Sequence, residues 1–125
     1  MASPHLIDPA AIRNLRTLNT DGSDDFLREI VALFSADLPA RIAELDQSLA
    51  EGNRRKFERA AHSIKGSAAN LGAASLKAAA EKIEAQSDVS GLDGIESLVG
   101  ELKAEAARAQ LALGEILASP PSAAS

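Results

Sequence analysis

Glu58-Arg59-Ala60-Ala61-His62-Ser63-Ile64-Lys65-Gly66-Ser67-Ala68-Ala69-Asn70-Leu71-Gly72 sets one histidine in the middle of a helical pattern. At about 100° per residue, Phe57, Ala60, Ala61, Ile64, Ala68 and Leu71 gather on one face, a stripe for a core. His62 falls outside that stripe, so it faces out or sits at the margin of the buried face. Around it lie Arg55, Glu58, Arg59, Lys65, Gly66 and Ala69. Gly66, one turn beyond the histidine, costs a helix about 1 kcal/mol relative to alanine. Ala69 follows one turn later, so the imidazole overlooks a strip with almost no side chains and one lysine beside it. Helix stability gains nothing from this arrangement. Presenting a histidine to another protein's surface does.

Working outward, Gly52 closes the preceding helix and Asn53 caps this one, a connection so tight that the two helices are predicted to be antiparallel neighbours. The preceding helix begins at Asp21 to Ser23, with Asp24 and Asp25 in its first turn complementing the helix dipole. It carries Phe26, Ile30, Leu33, Phe34, Leu38, Ile42, Leu45 and Leu49 at three- and four-residue spacing. Pro39 interrupts one backbone bond, which predicts a kink in one helix, since the pattern continues past it. Earlier still, Asp8-Pro9 is an N-cap followed by the favoured first helical residue, with Ile7 and Ile12 placed for a hydrophobic staple. That short helix is predicted to end near Leu18, before the turn residues Asn19-Thr20-Asp21-Gly22. After Gly72, Ser75 is the expected cap of a shorter helix bearing Leu76, Ala79, Ala80 and Ile83. Gln86 to Gly91 then reads as a loop, and a last helix from about Leu92 carries Ile95, Leu98, Val99, Leu102, Ala106, Ala109, Leu113, Ile116 and Leu117. The predicted fold is all-α: an antiparallel up-down four-helix bundle with a short N-terminal capping helix. Its expected divisions are a lead-in over 1–7, the bundle over 8–118 and a disordered tail over 119–125, which begins Ser119-Pro120-Pro121.

Composition narrows the function. The chain has 125 residues, room for one domain, and only 2% aromatics, so its core is aliphatic and alanine-rich. With no cysteine, it has no disulfide scaffold, thiolate zinc site or thiol nucleophile. A formal net charge of -5 argues against nucleic acid as the main partner. No apolar run approaches the roughly 20 residues of a membrane span, and no secretory leader pattern opens the chain; a cytoplasmic, membrane-free protein is expected.

Self-contained catalysis finds no support. A hydrolase triad needs a pocket, whereas His62 lies on a convex helix surface. A di-iron bundle needs repeated inward Glu-x-x-His motifs; Glu58 to His62 occurs once and points outward. Lys65-Gly66-Ser67 lacks the glycine loop and strand of a phosphate-binding loop. His5 is assigned no role. What remains is chemistry that needs an accessible imidazole, a flat approach and nearby positive charge. His62, the strip at Gly66 and Ala69, and Lys65 supply these.

The run His62-x-x-Lys65-Gly66-Ser67, followed by Leu71-Gly72-Ala73, resembles the phospho-acceptor motif of histidine-containing phosphotransfer (HPt) domains. The likeness extends to the aspartate-led short helix, the helix containing Phe34 and the helix from Leu76 to Glu84. It implies that His62 accepts the phosphoryl group, that Lys65 supports it and that Gly66 lets a receiver domain dock closely. Glu84 falls where the family places a polar residue that bonds the other ring nitrogen; on the residues alone it is equally a solvent-facing glutamate beside Ile83. The implied partner is a response-regulator receiver domain, that of a hybrid histidine kinase included, which brings its own Mg²⁺. No cofactor is expected on this chain, and a monomer is expected. Arg55, Arg59, Lys65, Gly66 and Ala69 form the expected partner-binding face. The basic run Arg54-Arg55-Lys56, extended by Arg59, reads either as a collar steering an acidic partner or as a solvated face. Two other functions stay open: a non-catalytic adaptor using the same face, and the phospho-acceptor module of a kinase whose ATP-binding part is not in this sequence.

Overall fold

The computed structural model describes residues 7–18 and 24–118, and within them the chain forms five helices and no strand. They are α1 (Pro9–Arg16), α2 (Asp25–Glu51), α3 (Arg54–Leu71), α4 (Ala74–Ser90) and α5 (Glu96–Ala118). The expected turn at 19–22, the expected start of α2 at 21–23 and the expected tail at 119–125 lie outside the described residues. Helices α2 to α5 form a ring of contacts, each touching two of the others, and α1 packs on α2 and α3.

Local signals set most helix ends. The Asp8 carboxylate accepts from the Ala10 N–H at 2.9 Å, and Ile7 and Ile12 are both buried, as a staple requires. Asn53 accepts from the Lys56 N–H at 3.1 Å. Gly52 and Gly72 close α2 and α3 in the left-handed region, each at φ 69°. α2 runs unbroken through Pro39. The buried residues of α3 are Phe57, Ala60, Ala61, Ile64, Ala68 and Leu71, the predicted stripe residue for residue.

Tertiary contacts override four local expectations. α2 buries Leu27 and Val31, whereas Leu33 is 63% exposed and Ile30, Ile42 and Leu49 pack only partly against the core. It contacts α1, α3 and α5 together, so its apolar residues serve more than one face and a single stripe misjudges its rotation. Asp24 precedes α2 without capping it; Arg16 claims its carboxylate at 2.9 and 3.1 Å instead. Arg16 and Arg28 also donate to the carbonyls of Ile116 and Leu117, satisfying acceptors at the open end of α5. α4 starts at Ala74 after Ala73, not at a Ser75 cap, because Gly72 turns the chain in two residues and Ala73 is buried. Finally α4 continues to Ser90 through the expected loop at 86–91, with Ser87 buried and bonded to α3, and α5 starts at Glu96, not near Leu92. Ser and Asp are indifferent helix formers, and here packing decides.

Gly72 is where α1 meets the α3–α4 turn. A Cβ added there would stand 2.5 Å from the Ala11 Cβ and 3.0 Å from the Asp8 Cβ, and the Asp8 N–H donates to the Gly72 carbonyl at 2.6 Å. Gly52 has the same φ with nothing within 4 Å of an added Cβ. Gly52→Ala is therefore expected to cost about 1–2 kcal/mol from backbone conformation alone. Gly72→Ala should cost measurably more, because α1 must shift. Paired denaturant titrations decide this, and equal losses would refute the contact.

Candidate functional site

Asn53 and Gly72 delimit α3, and its buried stripe sets its rotation, so His62 emerges on the outer face with its side chain 68% exposed. Glu84 reaches it from α4. The carboxylate Oε2 lies 3.1 Å from His62 Nδ1. An ionised carboxylate only accepts, so in the neutral ring this contact selects the tautomer with the proton on Nδ1 and the lone pair on Nε2, the nitrogen turned away from Glu84. Of the two readings of Glu84, the structure has the one bonded to the ring.

Lys65 Nζ meets the other oxygen of Glu84, Oε1, at 3.1 Å. One half-buried carboxylate thus holds both the histidine and the lysine. Gly66 has open space where a Cβ would be, and Ala69 is exposed, so the strip beside the ring is bare. Arg55 and Arg59 are exposed on the same face.

Arg54 and Lys56 do not join that basic face. Arg54 Nε pairs with Glu58 at 3.2 Å and its Nη2 with Asp88 at 3.4 Å, while Lys56 pairs with Glu51 at 3.7 Å. Of the basic run, Arg55 and Arg59 are left facing outward. Glu58 is occupied as well: it accepts from Ser87 Oγ at 2.8 Å. The sequence had no signal for Ser87 or Asp88, which lay in an expected loop; only the continuation of α4 brings them against α3. Glu58, Lys65, Glu84, Ala85 and Asp88 line an open groove beside the histidine.

Among the described residues no cluster of His, Asp or Glu could hold a metal ion, and no helix is long and apolar enough to cross a membrane. The arrangement offers one oriented, exposed imidazole nitrogen, a nearby ammonium group and room for a partner surface.

Two solved structures share this fold. Histidine-containing phosphotransfer protein B of Pseudomonas aeruginosa PAO1 superposes with a TM-score of 0.81 at 21% identity, covering 92% of this chain and 96% of its own. A rice protein described as a histidine-containing phosphotransfer protein superposes with a TM-score of 0.71 at 24% identity, covering 91% of this chain and 85% of its own. No curated protein sequence matches the chain. At these identities the two structures speak for the fold; the sequence itself matches the family model of the Hpt domain over residues 29–112, which spans α3 whole and His62 with it. The chain belongs to the Hpt domain family.

Proposed function

We propose that the protein is a phosphorelay intermediate that carries a phosphoryl group on His62 between aspartates of response-regulator receiver domains. The observation that carries this reading is the His62–Glu84 contact at Nδ1, made by a ring that is otherwise exposed. In the forward step the Nε2 lone pair attacks phosphorus in line. The bond from phosphorus to the aspartyl oxygen breaks and its electron pair stays on the receiver's carboxylate. The ring becomes positively charged with its Nδ1 proton in place, and Glu84 faces that proton throughout. Lys65 supports the phosphoryl oxygens by exchanging its contact with Glu84 for them, a short swing of a flexible side chain.

The receiver supplies Mg²⁺ and the acidic pocket around the reacting aspartate, so this chain needs no cofactor and no ATP site of its own. Gly66 and Ala69 form the flat part of the docking face. The ring of α2 to α5, closed by α1, is read as an antiparallel up-down bundle whose work is to hold that face rigid, as a monomer in the cytoplasm.

The test is incubation with several phosphorylated receiver domains and Mg²⁺. Label on this protein that is acid-labile and base-stable supports the relay; no uptake from any receiver refutes it and favours the adaptor. Arg55 and Arg59 are expected to act on encounter. Reversing both charges should slow transfer by about tenfold at low salt, and the difference should shrink as salt screens it. Equal rates at low salt would make them ordinary solvated side chains.

A further inference from the structure

Below the His62–Glu84 contact, the seam between α3 and α4 holds two more polar rungs. Ser87 Oγ donates to Glu58 Oε2 at 2.8 Å, and Arg54 Nη2 donates to the Asp88 carbonyl at 3.1 Å. The partners step up α4 as they step down α3, so the two helices run antiparallel along this seam.

The middle rung is the unexpected one. Ser87 is 0% exposed, and a buried hydroxyl is costly unless it is bonded. Ser48 is equally buried, but it bonds the carbonyls of Glu44 and Leu45 on its own helix. Ser87 instead reaches across to a neighbouring helix, to a carboxylate, one turn from the residue that orients His62. Alanine would fill the same space in a helix interior more favourably.

Glu58 stands four residues before His62, a spacing that lets its carboxylate reach the ring along the helix surface. Ser87 and Arg54 Nε, at 2.8 and 3.2 Å, both hold its Oε2 in the seam instead. The Ser87–Glu58 bond ties α4 to α3 one turn from Glu84. It also locks α4 in the rotation that delivers Glu84 to the ring.

We propose that Ser87, acting through Glu58, is a positioning residue for phosphoryl transfer at His62. This rests on the phosphotransfer reading above. The experiment compares the wild type with Ser87→Ala, Glu58→Gln, Glu58→Ala and, as a matched buried-serine control, Ser48→Ala. It reads the ring nitrogen resonances of His62 by NMR, the initial rate of transfer from a phosphorylated receiver with Mg²⁺, and the melting temperature.

Ser87→Ala and Glu58→Ala should move the His62 ring away from a single Nδ1–H tautomer and slow transfer by roughly threefold to tenfold, the scale of a small misplacement of a reacting group. Glu58→Gln keeps an acceptor for the Ser87 hydroxyl and should restore both readouts to near wild type. Ser48→Ala should change neither. The proposal is overturned if Ser87→Ala lowers only the melting temperature, as Ser48→Ala would, with the ring resonances and rate of the wild type. If Ser87→Ala does not fold, the Glu58 pair, whose side chain is partly exposed, decides by the same criteria. Failure of the relay itself looks different: the wild type takes up no label, whatever the ring resonances of the variants show.

Discussion

His62→Gln is expected to reduce phosphoryl uptake to background while leaving the fold intact. The side chain is 68% exposed, so its removal uncovers no core, and substitutions of exposed side chains typically change stability by about 0.5 kcal/mol or less. Glutamine can also keep a hydrogen bond to Glu84. Yet the lost nitrogen is the proposed phospho-acceptor, which nothing else on the face replaces: Lys65 is a cation held by Glu84, and Ser63 and Ser67 leave α3 in other directions. Label uptake and a denaturant titration on the same preparations check both halves. Uptake by the variant would move the acceptor elsewhere and end the assignment of His62; unfolding would mean the histidine is structural.

Ile64→Ala should do the reverse. Ile64 lies two residues away but on the opposite face, with 0% exposure, among the alanines at 60, 61 and 68. Small neighbours let α3 lie close to α2 and α4, and they have no long side chains with which to refill a cavity. The expected loss is about 2–5 kcal/mol, a large share of the roughly 5–15 kcal/mol that stabilises a small domain. Chemical denaturation measures it directly. Below its lowered melting temperature the variant should still accept phosphoryl groups, because Glu84 and His62 meet outside the truncated contact. A loss under about 1 kcal/mol would mean that the α3 stripe is not the centre of the core.

The site was legible in unequal parts. His62, Gly66 and Ala69 sit on α3, whose burial follows from its own periodicity, so their shared exposed face could be read from spacing alone. The neighbours that occupy the basic run could not. Arg54 belongs to the seam because Asp88 stands opposite it and Ser87 opposite its partner Glu58, and both lay in a stretch whose Ser and Asp residues locally favour a loop. Asp24 likewise reads as a residue complementing a helix dipole, but becomes half of an ion pair only when α1 brings Arg16 beside it.

What the sequence by itself determined, then, is what a single helix can state: where α1 and α3 begin, where α2 and α3 end, which face of α3 is buried, and an all-helical chain. Caps, left-handed glycines and a 3.6-residue period act within a few residues and need no partner. The tertiary structure decided the rotation of α2, the length of α4 and the contact between Glu84, His62 and Lys65. Each depends on which helices lie alongside, and a helix such as α2, apolar on more than one face, takes its orientation from all its neighbours at once.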